Sequence, residues 1–512
     1  MPRRLYAWAC SRPRAKTRPR LRPRGAAALL LALVACFSAA RAFAEEPALP
    51  PGLADPPPPA KKSDEPSLPP GLGEPPPAKK DEPALPSGLG EPVAPPAAKP
   101  GEKPPEAKKS PLPFDLTGFW ELRGGVRTQN DPHEKGASLG ESRLHLQADK
   151  AVGETSFRVT GDLLYDMVET NPRVDLEEGR GVFDLREAYV SLRPVPFMDI
   201  KIGRQVLTWG TGDLVFINDL FPKDFNAFFI GRDVEYLKAP SDALKVSFFS
   251  DAANLDVVYT PRFDADRFID GRRLSYFNPL LGRQAGRDAV VDPETPAAWF
   301  KDDELALRLY RNIGAVEVAA YGYHGFWKDP VGFDPVRRRA TFPDLAVYGA
   351  SVRGPLGKGI GHMEAGYYDS MDDRPGDNPF VPNSQVRFLA GYEQDLAQDF
   401  TAGVQYYLER TTDFDALRRT APAGQPQPDE NRHLLTLRLT RLLWNQNLEL
   451  SLFTFYSPSD NDAHLRPHAK YKIDDHWSVE GGANVFFGSQ QHTFFGQFEN
   501  NSNVYVGVRY SF

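Results

Sequence analysis

Cysteine is all but missing from this chain of 512 residues: there are 2, Cys10 and Cys36, both near the N-terminus. A disulfide framework or a cysteine-based metal site is therefore closed to everything that follows. Long apolar runs are missing too. After residue 44 nothing approaches the roughly 18 consecutive apolar residues that a spanning helix needs, and mean hydropathy is -0.45. The 9 histidines fall in no HExxH or other metal-binding spacing. His464 and His468 share a predicted strand face but stand about 13 Å apart, too far to share an ion. No G-x-S-x-G elbow occurs, and no C-x-x-C-H haem site. The net charge of -7 is modest and argues against nucleic acid as a partner. We expect no catalytic residue, no metal and no cofactor.

The N-terminus carries an export address. Residues 2–24 are dense in Arg and Lys and hold no acid, an apolar run from Ala26 to Phe37 follows, and Ala42-Phe43-Ala44 precedes Glu45. A basic region, a short apolar region and a small-x-small site read as a cleaved signal peptide over 1–44. The mature chain then starts near Glu45 without cysteine. Leu33-Val34-Ala35-Cys36 resembles a lipobox, which leaves a lipidated Cys36 as the competing start. Residues 45–113 are rich in Pro and Lys and repeat themselves: Leu49-Pro50-Pro51-Gly52-Leu53 returns at Leu68–Leu72 and, with one change, at Leu85–Leu89. Such a composition buries no core and favours extended polyproline II. We expect a disordered periplasmic linker that barrel folding does not need. Its contact, if it has one, is a periplasmic or cell-wall partner.

From Phe114 the pattern changes to strict alternation. Val504, Val506, Val508, Tyr510 and Phe512 share one face of the last segment, and Tyr505, Gly507, Arg509 and Ser511 share the other. Eighteen such segments are predicted between 115–127 and 502–512, an even number. Their connections alternate between a few residues, as at Gly153 or Trp444-Asn445-Gln446, and long stretches such as 209–242, 261–301, 324–343, 411–430 and 488–501. Aromatic content is 12%. Only helices and closed barrels satisfy every backbone group in lipid. These observations predict an all-β, antiparallel up-and-down barrel over 114–512, seated in the outer-membrane lipid of a Gram-negative cell, with short periplasmic turns and long external loops.

Two short segments carry a resemblance. The C-terminal strand, with its alternation and final Phe512 after Tyr510, resembles the terminal signal of outer-membrane proteins, which implies recognition by the barrel-assembly machinery. Gly203-Arg204-Gln205-Val206-Leu207-Thr208-Trp209-Gly210, with Asp219-Leu220-Phe221-Pro222, resembles a strand-end motif of porin-like families, the alginate-export type among them. That resemblance implies passage of an anionic polysaccharide through a basic lumen.

Parity sorts the charges. Arg or Lys facing lipid at mid-membrane costs about 2–4 kcal/mol, so Arg123, Arg127, Arg143, Arg158, Arg308, Arg387, Arg438, Arg466, Lys470, Lys472 and Arg509 are assigned to the lumen, with Glu121 and Glu480 among the acids. Each base could form a cross-lumen ion pair or a rung for anions. Arg204 breaks parity and implies a bulge or a place at the rim. The loop 261–301 either folds inward or stays outside. The expected function is a channel for hydrophilic solutes, anionic ones among them, or polysaccharide. A sheath or scaffold for a partner protein is the alternative.

Overall fold

The computed structural model describes residues 112–169, 173–422 and 426–512. The signal peptide, Cys36 and nearly all of the proline-rich arm lie outside the described residues.

Period-2 alternation does what it predicts. The strands are β1 Asp115–Arg127, β2 Ala137–Val152, β3 Thr155–Asp166, β4 Phe183–Val195, β5 Met198–Val206, β6 Pro240–Phe248, β7 Asn254–Thr260, β8 Glu304–Ile313 and β9 Val316–Phe326. Then follow β10 Asp344–Leu356, β11 Gly359–Ser370, β12 Gln385–Ala397, β13 Phe400–Thr411, β14 Asn431–Leu443, β15 Leu448–Ser457, β16 Asp462–Lys472, β17 Trp477–Gly488 and β18 Asn503–Ser511. They form one 18-stranded antiparallel sheet. β1 closes it against β18, Phe119 opposite Ser511 and Arg127 opposite Asn503, so no edge is left unpaired. The short turns are tight. Gly153 and Gly314 each open a two-residue turn with φ of 61° and 62°, a conformation glycine adopts without steric cost.

The wall separates two chemistries. On β1, Trp120 and Leu122 are 41% and 45% exposed, while Glu121 and Arg123 between and beside them are 3% and 5% exposed. The same alternation sets exposed Phe157, Val159 and Leu163 outward on β3. Aromatic residues gather at both rims of the outer face. Tyr165, Tyr348 and Tyr456 lie exposed toward the long-loop end, and Trp444, Trp477 and Phe512 toward the short-turn end. This is the girdle-and-band pattern of a barrel seated in lipid.

Two departures from parity have local causes. The β3–β4 register shifts between Thr160 and Gly161, which face Glu187 and Leu185. Arg186 is the extra residue, so Arg186 and Glu187 both reach the interior. Arg204 stands at the rim. Its guanidinium donates to the Leu185 carbonyl (2.8 Å) and to Asp242 (2.9 Å), and it also bonds the Leu176 carbonyl.

Candidate functional site

The lumen is crossed by the chain itself. Residues 207–239, between β5 and β6, fold inward in two lobes. They are too apolar for a solvated external loop, and Leu214, Val215, Ile217, Phe228, Phe229 and Ile230 are all buried.

The first lobe hangs on one carboxylate. Glu364 of β11, 2% exposed, accepts the N–H of Gly212 (2.8 Å), the N–H of Thr211 and the side-chain amide of Asn218 (3.1 Å). Beyond it, the N–H of Asp213 donates to Gln405 of β13 (2.7 Å), and the Asp213 carboxylate forms an ion pair with Arg438 of β14. The segments that resemble a porin-like motif stitch this lobe together. Thr208 donates to Asp219 (2.7 Å), Lys223 forms an ion pair with Asp219 (2.9 Å), and Trp209 meets Phe221 edge-on at 4.9 Å.

The second lobe carries a single helical turn, α1, Phe225–Ile230. Asp224 caps it by accepting the N–H of Ala227 (2.7 Å), and Gly231 ends it at φ 90°. A Cβ at Gly231 would lie 2.2 Å from the Tyr505 ring of β18, so the close approach requires glycine. Phe228 and Phe229 pack on His464, Phe455 and Phe486 of the opposite wall. Arg232 lies against Glu141 of β2 (2.5 Å), and Asp233 against Arg509 of β18 (3.2 Å). Tyr236 sits between the guanidiniums of Arg143 and Arg186, at 4.2 and 4.9 Å. Burial opposes the charge of Asp233, but Arg509 and the more distant Lys470 and Arg123 hold its carboxyl well below the usual range. Burial pushes the Tyr236 phenol up.

The loop 261–303 closes over the second lobe, so the choice left open by its sequence falls to the inward arrangement. Arg267 bonds Asp184 of β4 (2.9 Å), and Arg273 reaches Asp166 and Glu141 (3.6 Å). Ser275 donates to Asp131, and Asn501 donates to the Ser275 carbonyl (2.8 Å). Asp266 accepts the N–H of Lys223 (2.7 Å) and so ties this loop to the first.

The residues assigned to the lumen by parity sort into three groups. Arg123, Arg143, Arg158, Arg308, Arg387, Arg438 and Arg509 form ion pairs inside the barrel, with Glu121 and Glu480 among the partners. Arg127 is bound to the carbonyls of Ala137 and Arg273 and works as a structural tie. Arg466 stacks over Phe228 at 3.9 Å and donates to Asn484 (3.2 Å). Neither it nor Lys470 has a carboxylate within 4 Å among the described residues. Lys472 sits at the short-turn mouth beside Asp475 (3.1 Å). Arg123, Arg466, Lys470, Lys472 and Arg509 make no continuous basic wall, because Glu121, Glu480 and Asp233 lie among them. Sequence reading missed Glu141, Glu364, Asp213, Arg232 and Tyr236 as the groups that seat the crossing loop. The run Leu214-Val215-Phe216-Ile217 was the signal available, since an external loop has no use for it.

The loops carry a pH dependence. Burial raises the Asp329 carboxyl to about 6, and Asp266 moves the same way through burial and its neighbour Asp329. Raised carboxyls bind protons more tightly in the folded state, so the seated loops gain stability as pH falls through about 6 and lose it as pH rises. Amide exchange at Lys223, corrected for intrinsic rate, should be slower at acidic than at neutral pH. The double substitution Asp266→Asn with Asp329→Asn should flatten that difference.

An 18-stranded closed wall with an apolar outer band and a charged interior defines a membrane-spanning barrel of the outer-membrane type. No family model matches the chain, and no curated protein matches it. Among solved structures, OccAB1 of Acinetobacter baumannii aligns over 78% of this chain and 95% of its own, at 8% identity and a TM-score of 0.46. Salmonella typhi OmpF in complex with daunomycin aligns over 78% and 97%, at 10% identity and 0.39. A loop-deleted OmpT, an outer membrane protein of Vibrio cholerae, aligns over 78% and 100%, at 13% and 0.37.

Proposed function

We propose that the protein is an outer-membrane channel for small solutes, with residues 207–239 as its constriction. The observation that carries this reading is the ring of contacts that seats those residues, from Glu364 and Arg438 on one wall to Glu141 and Arg509 on the other. A wall of this girth encloses an aqueous bore, and a loop fixed across it sets the passage by size and charge. The same loop weighs against a sheath, since the space a partner protein would need is filled by the chain itself. It also weighs against a polysaccharide of large cross-section. The residues that resemble the alginate-export type are engaged in holding the loop together.

Ion preference should be weak and anionic. Most lumen bases are neutralised by neighbours, while Arg466 and Lys470, and Lys201 over the Tyr189 ring at 3.7 Å, have no carboxylate within 4 Å among the described residues. Low-dielectric walls focus their field, and salt screens it beyond about 10 Å at 0.1 M. Changing Arg466 and Lys470 to Gln should move the reversal potential of single channels toward cations, and the shift should shrink as salt rises. Lys472→Gln alone should add little, because Asp475 already faces it. Reversal potentials unmoved by the double change would show that the conducting path runs elsewhere.

A further inference from the structure

Above α1, on the side of the long loops, lies a chamber of about 840 Å³. Its lining is aromatic. Phe225 and Phe229 of α1 face it from the crossing loop, and Phe268, Phe277, Phe380 and Phe494 face it from three further loops. Several apolar side chains there stand open to solvent rather than to lipid: Leu280 is 56%, Val331 48% and Phe494 44% exposed. Apolar surface left open in a concave site of this size marks ligand binding. The chamber has little charge bias. Among its lining acids and bases, Glu409 forms an ion pair with Arg387 and Asp292 with Arg339, which leaves Asp329 and Arg338 with opposite signs.

We propose that this chamber binds an uncharged aromatic solute, held by stacking on the phenylalanines, before it meets the constriction. Aromatic faces at several angles recognise a ring without requiring a charge. Because Phe225 and Phe229 belong to the crossing loop, the bound solute touches the element that sets the passage. The inference rests on the channel reading only for the chamber's place on the route, so binding is measured without conduction.

The test is equilibrium dialysis of the full-length protein in lipid nanodiscs against p-nitrophenyl glucoside and, as a polar solute of similar size, maltose. The aromatic glucoside should bind saturably and at least about tenfold tighter than maltose. Phe277→Ser with Phe494→Ser, both outside the barrel strands, should remove most of that difference while heat-modifiable migration shows the barrel intact. Should that double variant fail to fold, Val331→Ser alone should still weaken the glucoside several-fold and leave maltose unchanged. Equal binding of the two solutes, or variants that bind as the parent does, would overturn the proposal. Binding in a protein that does not conduct would leave the chamber standing and sink the channel.

Discussion

Glu141→Gln should unseat the crossing loop and raise single-channel conductance several-fold, with large fluctuations between levels. Glu141 is buried and faces three guanidiniums, those of Arg232 (2.5 Å), Arg143 (3.3 Å) and Arg273 (3.6 Å). Two of these belong to the inserted loops and one to the wall. A neutral amide withdraws the carboxylate that all three share, while Arg143 keeps Asp162, Arg273 keeps Asp166 and Arg232 keeps Asp224 (3.9 Å), so the cost falls at the lower end of the about 3–5 kcal/mol for breaking a buried ion pair. Spent on the loop alone, that energy shifts the seated fraction by about a hundredfold or more. Trypsin gives an independent readout. Arg232 lies inside the barrel in the parent and should resist cleavage there, while the variant should be cut at or near it and keep its heat-modifiable migration. A variant with parental conductance and a protected Arg232 would show that the loop is held by its apolar packing and that Glu141 is incidental.

Removing Phe512 should abolish most membrane insertion in cells yet leave refolding in detergent nearly unchanged. The backbone of Phe512 exchanges hydrogen bonds with Gly118 of β1 (3.0 and 3.1 Å), but the residue is 48% exposed, its ring lying beside Gly118 and Tyr510. Full burial of a Phe is worth about 1.5–3 kcal/mol, and this ring gains less. A Phe512→Ala chain therefore loses little intrinsic stability. A large deficit in cells would arise from recognition of the terminal strand during assembly. The two settings are compared directly by the heat-modifiable fraction in outer membranes and after refolding, and equal losses in both would refute the signal reading.

The wall was legible because its rule is binary. Any residue on β1 or β18 is either against lipid or inside, and Trp120, Leu122, Val506 and Val508 cannot share a side with Glu121 or Arg509. Strand ends were legible where a turn has a steric demand, as at Gly153. The interior was less so. Parity says that Arg143 points inward, but whether it meets solvent, a carboxylate or an aromatic ring depends on residues nearly a hundred positions away. Tyr236, which covers it, lies in a segment without periodicity. The same limit holds for the other lumen charges. Arg123 and Arg509 were placed on the correct face; Glu121 and Glu480, which pair with Arg123, lie on strands, but Asp233, which pairs with Arg509, sits on a loop whose path the strand pattern does not encode.

That loop has a mechanical consequence. Every neighbouring pair of strands is tied by a covalent turn or loop except β1 and β18, so their seam is where the cylinder would part under strain. The loop grips both lips of this seam from within. Arg123 of β1 donates to the Gly231 carbonyl (2.6 Å), Arg509 of β18 holds Asp233 (3.2 Å), and Tyr505 of β18 presses on Gly231. Arg509 also reaches across the seam to Glu121 (2.9 Å). Residues 231–233 act as an internal rivet, which couples clearance of the passage to the strength of the cylinder: whatever lifts the loop also loosens the one joint that no peptide bond secures.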